Sequence, residues 1–217
     1  MGRQIQGMLK AELAMDIRKP AVLGAGGLQL LATGLLCYLG NPLIQPKVWN
    51  SLYWISMIFV TLQVVGKSFM QVNRGRWIYL NQLASPLAVI FAKTLYGWLL
   101  MILLGLANLL VFAVLMDFPV AHSTVYIGAV VLSSMGISTV FTLISAIAGK
   151  TTQPGFMLPV MSLPVVLPIV LVGIKGSVKC LNPVLVSSVY TDLLLLAALT
   201  LLVLVLTAVL FTPLWRE

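Results

Sequence analysis

Six long apolar stretches, separated by shorter polar segments, dominate the pattern of the chain. A helix that crosses the hydrocarbon core of a bilayer takes about 20 apolar residues, so each stretch suits one crossing. We therefore predict an all-α, polytopic membrane protein with six transmembrane helices. The predicted spans run from about Ala21 to Leu39, Leu52 to Gly66, Thr94 to Met116, Thr124 to Ala148, Phe156 to Ile174 and Thr191 to Thr212. The second span is short, and Trp49, Tyr53 and Trp54 lie where an aromatic belt at the membrane interface would extend it.

Residues 1–20 have a different pattern, with apolar side chains on one helical face and basic side chains opposite. The segment ends at Pro20, which suits a helix that lies on the membrane surface before the chain turns into the bilayer. Glu12 and Asp16 interrupt the apolar face, and Arg18 follows them. One interpretation is a simple basic anchor. The other is an interfacial helix whose Glu12, Asp16 and Arg18 meet a partner or another loop.

The longest polar connection covers residues 67–86, between the second and third predicted spans. It carries basic residues and no acidic one, and Trp77, Leu80 and Leu83 recur at the spacing of a short helix with one apolar face. Such a helix could insert into a groove of a soluble partner or rest on lipid headgroups, and the residues favour neither. The candidate contact residues are Arg74, Gly75, Arg76, Trp77, Tyr79, Leu80 and Leu83.

Composition and charge agree with a membrane location. Hydrophobic residues make up 60% of the chain and charged residues 8%, whereas a soluble domain is about 25% charged. A water-soluble globule is therefore excluded, and so is a soluble catalytic domain. With six spans, ten of the 13 basic residues fall on the side of both termini, and three, Lys47, Lys175 and Lys179, fall on the other. The positive-inside rule then places both termini in the cytoplasm, which for a bacterial protein means a location in the inner membrane, and the basic excess does not indicate nucleic-acid binding.

The fifth predicted span contains internal prolines, and the fourth contains regularly spaced small residues. Pro159, Pro164 and Pro168 lie inside the fifth span, where each removes a backbone hydrogen bond and kinks a helix. We expect a bent helix buried against its neighbours, with the prolines either as structural kinks or as a hinge or pathway-lining break. In the fourth span small residues step by four, a spacing that lets membrane helices pack closely. They are Ser134, Ser138, Thr142 and Ala146.

Residues suited to enzymatic chemistry are scarce. Gly66-Lys67-Ser68 and Gly149-Lys150-Thr151 imitate the end of a phosphate-binding loop, but Thr61 and Ile144 occupy the positions where the first glycine is required. No nucleophile and base, and no cluster of metal ligands, can be assigned. We therefore predict no ATP site, no catalytic, metal or cofactor-binding residue, and no enzymatic activity of this chain.

The single histidine and the two cysteines are predicted on the outer side of the membrane. We interpret His122 as a solvated loop residue, with ligation of haem iron as the alternative. Cys37 and Cys180 are either free or bridged. If they are free, Cys180 beside Lys179 is expected to react readily with a thiol reagent and Cys37 poorly.

Four stretches, in this order, resemble the CcmB family, also called haem exporter protein B. They are Glu12-Leu13 with Arg18; Lys67-Ser68-Phe69, Arg74-Gly75-Arg76, Leu83, Ser85-Pro86 and Lys93; Gly136 onward through Ile144 to Lys150; and Leu163-Pro164 through Pro168-Ile169. Together they span most of the chain. In one departure, Gln71, Asn73 and Arg74 stand where many family members have acidic residues.

The resemblance implies a fold like that of a type-2 ABC exporter: a single permease domain over residues 1–217 with an interfacial helix, six spans and a coupling helix within residues 67–86. It implies two copies of this subunit working with a CcmA-type ATPase, CcmC, CcmD and the haem chaperone CcmE. Release of the haem-loaded chaperone is then tied to ATP hydrolysis by the ATPase, and haem is a handled ligand. Two alternatives are an ABC permease that exports a lipid, glycan or drug, and a non-transporting scaffold of a haem-handling complex.

Overall fold

A computed structural model describes residues 6–9, 21–40, 45–65, 86–116, 118–151, 153–182 and 186–216. Within these ranges the chain is helical apart from short turns, and no strand occurs. The prediction of an all-α protein is confirmed. Residues 6–9 are helical, and the longer helices described are α1 (Ala21–Gly40), α2 (Pro46–Val64), α3 (Pro86–Leu115), α4 (Ser123–Ala148), α5 (Pro154–Lys179) and α6 (Val186–Arg216).

Four of the described helices are long and apolar enough to cross a bilayer. These are α3 (Pro86–Leu115), α4 (Ser123–Ala148), α5 (Pro154–Lys179) and the part of α6 from Ser188 to Phe211. The range Gly24–Gly40 of α1 forms a shorter apolar helix. The chain is therefore a multi-pass membrane protein. Both α2 and α3 begin earlier than predicted, at Pro46 and Pro86, because the first turn of a helix accepts a proline without losing a helical hydrogen bond.

Consecutive helices run antiparallel, so the bundle has two ends. Gly26 near the start of α1 lies against Val64 at the end of α2, and Gly176 near the end of α5 lies against Asp192 in α6. We call one end the Lys179 end; there α1, α3 and α5 finish and α2, α4 and α6 begin. The opposite end, where α4 finishes next to Lys150, is the Lys150 end.

α4 is the central helix of the bundle. It packs against α3, α5 and α6 and also contacts α2, whereas α1 packs on α2 and α3. A Cβ added to Gly97 of α3 would lie 2.5 Å from Ser138 Oγ, and one added to Gly105 would lie 3.1 Å from Ser134 Oγ. Because glycine leaves room for these hydroxyls, the backbones of α3 and α4 approach closely. The prediction that the small residues of the fourth span mediate close packing is confirmed.

α5 continues as a helix through its three prolines. Its buried face includes Ser162 and Ile169, while Pro164 and Pro168 are exposed and Pro159 is half-buried. α5 packs against α4 and α6, as expected, and the residues that fill the core lie on the opposite face from Pro164 and Pro168. The proline positions do not line the interior of this bundle. Their role as a hinge stays a prediction.

Candidate functional site

The residues predicted to contact an ATPase lie outside the described part of the chain. These are Arg74, Gly75, Arg76, Trp77, Tyr79, Leu80 and Leu83. Glu12, Asp16 and Arg18 of the predicted interfacial helix also lie outside the described part. The described chain stops at Val65 and resumes at Pro86, both at the Lys150 end. Pro159, Pro164 and Pro168 are described, and they are spaced along α5 without forming a site together.

A cluster of aromatic side chains, which sequence reasoning missed, fills the core at the Lys179 end. The rings of Trp49 and Tyr53 stack with centroids 6.2 Å apart, and Phe112 meets both edge-on at 5.9 and 6.1 Å. Trp49, Tyr53 and Trp54 are only 1%, 0% and 1% exposed. The prediction that these three residues form a belt at the membrane interface is wrong, because α2 turns them toward α3, α4 and α5 rather than toward lipid. We call the group Trp49, Tyr53, Trp54, Phe112 and Tyr126 the aromatic cluster.

Buried hydrogen bonds join α2 to α3 beside the aromatic cluster. The Tyr53 hydroxyl donates to the carbonyl of Gly105 at 3.2 Å, and Ser56 Oγ donates to Asn108 Oδ1 at 3.2 Å. Asn108 Nδ2 in turn donates to the Tyr53 carbonyl at 3.3 Å. Within a membrane no water competes for these groups, so each bond fixes the two helices in one register.

Two more buried bonds connect α2 to α4 and α5. The Tyr126 hydroxyl donates to Asn50 Oδ1 at 2.9 Å, and Trp54 Nε1 donates to Ser177 Oγ at 2.9 Å. α2 is thereby bonded to three different helices within two turns. The signal in the sequence was the amide side chains of Asn50 and Asn108 within largely apolar stretches, because a buried amide inside an apolar helix needs a partner.

The start of α6 is held to the end of α5 by an ion pair. Lys179 Nζ lies 2.6 Å from Asp192 Oδ2 and 3.4 Å from the carbonyl oxygen of Ser188. Nearby, the backbone N–H of His122 donates to the carbonyl of Cys180 at 3.3 Å, which joins the start of α4 to the end of α5. His122 is half-buried. In the described part of the chain, no three His, Cys, Asp or Glu side chains could hold a metal ion together.

Cys180 lies inside this end of the bundle. It is 0% exposed, and its Sγ donates to the carbonyl of Gly176 at 3.4 Å. Burial raises the pKa of the Cys180 thiol, and the neighbouring Asp192 carboxylate raises it further. The prediction that Cys180 is readily accessible is therefore wrong, because the thiol is packed inside and the Lys179 charge is paired with Asp192. Cys37 is half-buried, and both cysteines are free.

The side chains at the Lys179 end hold the helices in fixed positions. Comparison with known proteins indicates the family to which such a bundle belongs. The family model described as CcmB protein matches residues 4–213. No curated protein and no solved structure gives a significant match. The matched range includes α1 to α5, α6 as far as residue 213, the predicted coupling loop, and the predicted interfacial helix from residue 4 onward. The chain therefore belongs to the CcmB family, which supplies membrane components of the haem-exporting ABC system of cytochrome c maturation.

Proposed function

We propose that this chain is the permease subunit of an ABC complex for cytochrome c maturation. In this role it couples ATP hydrolysis by a partner ATPase to haem delivery or to release of the haem-loaded chaperone. The observation that carries the proposal is the family match over residues 4–213. The apolar helical bundle supports it, since a subunit of this kind acts within the membrane.

The proposed topology has six spans with both termini in the cytoplasm of a bacterium. α1 and α2 contain 20 and 19 residues, and at about 1.5 Å per residue each is close to the ~30 Å thickness of a hydrocarbon core. Together with the four longer apolar helices they make six. The ten-to-three division of basic residues supports a cytoplasmic Lys150 end and an outer Lys179 end.

Residues 67–86 are proposed as the docking element for the ATPase, and residues 1–20 as an interfacial helix beside it. The segment between α2 and α3 connects two helices at the Lys150 end, the proposed cytoplasmic side. Its basic residues and the apolar Trp77, Leu80 and Leu83 suit a helix that inserts into a groove of a soluble protein. The proposed partners are a CcmA-type ATPase, CcmC, CcmD, the chaperone CcmE and a second copy of this chain, with haem as the ligand handled by the complex.

The test is purification of the tagged chain from bacterial inner membranes in mild detergent, followed by identification of the accompanying proteins. We expect an ABC ATPase and a haem chaperone, and ATP addition should release the haem-loaded chaperone. If the accompanying ATPase serves lipid, glycan or drug export and cytochrome c levels stay normal without this chain, the proposal fails. If a catalytically inactive ATPase still permits chaperone release, the chain acts as a scaffold instead.

A further inference from the structure

Two glutamines form a hydrogen-bonded pair on the outside of the bundle. Gln63 Nε2 of α2 donates to Gln29 Oε1 of α1 at 3.2 Å. Gln29 Nε2 donates in turn to Thr33 Oγ1 at 3.3 Å, and that hydroxyl donates to the Gln29 carbonyl at 2.8 Å. Gln63 is exposed and Gln29 is half-buried. The pair therefore lies at the surface, in the groove between α1 and α2.

Both amides lie away from the ends of the bundle. Gln29 is near the middle of α1, a helix of 20 residues. The end of α2 is level with Gly97 of α3, because a Cβ added to Gly97 would lie 3.7 Å from Val65 Cγ1. Gly97 itself lies about three turns into α3. Since α1 crosses the bilayer in the proposed topology, the surface around its middle faces hydrocarbon unless another protein covers it.

The pair leaves hydrogen-bonding capacity unused. A glutamine amide has two N–H donors and an oxygen that accepts twice. Among the described residues no donor reaches Gln63 Oε1, and each of the two amides uses one of its N–H groups. Lipid tails offer neither donors nor acceptors, so unpaired amide groups are costly there. The exposed face of α3, by contrast, carries apolar side chains such as Leu99, Leu103 and Leu110. The amides therefore indicate a protein neighbour.

The surface around the amides can admit another helix. Ala25 and Ala32 lie one turn to either side of Gln29, and Phe59 lies one turn from Gln63. All three are exposed. Small residues let membrane helices approach closely, and amide side chains then bond from one helix to the other. We call Ala25, Gln29, Ala32, Phe59 and Gln63 the amide face.

We propose that the amide face packs against the same face of a second copy of this chain, with Gln29 and Gln63 of each copy bonded to the amides of the other. An amide both donates and accepts, so the amide face is complementary to itself when a two-fold axis relates the copies. The face carries no charge, so no repulsion opposes this contact. The inference rests on the proposed function, which includes a second copy, and it names the surface through which the two copies meet.

The first experiment is disulfide crosslinking in native membranes. In a chain without its two native cysteines, single cysteines replace Ala25, Ala32 or Phe59 on the amide face, or Leu194 on the exposed side of α6. Ala32 and Leu194 lie at similar distances from the Lys179 end of their helices. Oxidation with copper phenanthroline should join two copies through the amide-face cysteines and not through Leu194→Cys. The proposal is overturned by absence of a crosslinked homodimer at all three positions, by a crosslink to a different protein, or by equal crosslinking at Leu194.

The second experiment measures self-association of the purified chain in lipid vesicles, without ATPase or nucleotide. Gln29→Met combined with Gln63→Met keeps the side-chain length and removes the amides. This variant should raise the dissociation constant of the dimer about 3- to 30-fold. Gln153→Met is the matched control and should leave the constant unchanged, because Gln153 is an exposed amide that precedes α5.

Unfolding temperatures of the same variants distinguish the interface from a merely structural role of the pair. A lower unfolding temperature of the double variant with an unchanged dissociation constant would show that the amides only join α1 to α2. Because the ATPase is absent, this measurement is independent of the system that the complex serves. A failure of the proposed function appears in the co-purification test instead.

Discussion

Tyr126 and Asn50 illustrate how one buried pair holds two helices of this bundle. The Tyr126 hydroxyl donates to Asn50 Oδ1 at 2.9 Å, and both residues are fully buried. Removal of the hydroxyl leaves the Asn50 oxygen without its donor in a region from which water is excluded. An orphaned buried polar group costs about 1–3 kcal/mol.

We expect Tyr126→Phe to lower the free energy of unfolding by about 1–3 kcal/mol, because the ring still packs while the hydrogen bond is lost. Thermal unfolding of the purified protein in detergent measures the change. Tyr190→Phe is the matched control, since Tyr190 is 58% exposed on α6. An equal loss in both variants would mean that the buried hydrogen bond contributes nothing specific.

The reactivity of Cys180 follows from its burial. In a Cys37→Ala variant, a maleimide reagent should label Cys180 more slowly than a cysteine introduced at the exposed Lys175 position. The thiolate is the reactive form, and a raised pKa means less thiolate at any given pH. The labelling rate should therefore increase only at a more alkaline pH than for the control. Rapid labelling at neutral pH would contradict the buried position of the thiol.

At the scale of helices, glycines in α4 decide how closely its neighbours approach. A Cβ on Gly136 would lie 2.7 Å from Thr200 Oγ1 and 3.2 Å from Ile169 Cγ2, whereas nothing lies within 4 Å of a Cβ on Gly128. Gly136→Val should therefore push α5 and α6 away from α4 and lower the free energy of unfolding by about 1–3 kcal/mol through overpacking. Gly128→Val in the same helix should not. Chemical or thermal unfolding of the two variants measures the difference, and similar losses would argue against tight packing at Gly136.

The prolines of α5 are predicted to make that helix a hinge. Pro164→Ala combined with Pro168→Ala lets two missing backbone hydrogen bonds form, so the variant should unfold at a higher temperature and support less cytochrome c maturation. Pro154→Ala serves as the control, because Pro154 begins the helix, where a proline removes no helical bond. Maturation at the normal level in the double variant would mean that the prolines are structural only.

At the scale of the whole molecule, the proposed contact with the ATPase lies at the Lys150 end, away from the aromatic cluster. Trp77→Ala combined with Leu80→Ala should weaken ATPase binding by at least about 2–4 kcal/mol, the size of an interface hot spot. Insertion into the membrane should stay intact, since both positions lie in the polar connection between two predicted spans. Co-purification and ATP hydrolysis are measured, with Lys47→Ala at the opposite end of α2 as the control. Normal co-purification and hydrolysis with both side chains removed would rule out residues 67–86 as the docking element.

The sequence by itself determined the helical class of this protein, its membrane character and its family. These depend on properties that can be read along the chain: the length of apolar stretches, the scarcity of charge and the order of short motifs. The close packing of α4 was predictable for the same reason, because the spacing of Ser134, Ser138, Thr142 and Ala146 is a local pattern. The candidate coupling residues around Trp77 were also selected from the sequence, and they await the test above.

Only the tertiary structure decided which face of each helix points inward. The sequence indicated an interfacial position for Trp49 and an accessible thiol for Cys180, and the structure shows the reverse in both cases. The physical reason is that lipid and protein interior are similarly apolar, so hydrophobicity does not distinguish the lipid-facing side of a membrane helix from its packed side. The distinction depends on hydrogen bonds and close contacts between distant segments, such as Trp54 with Ser177, which exist only once the helices have assembled.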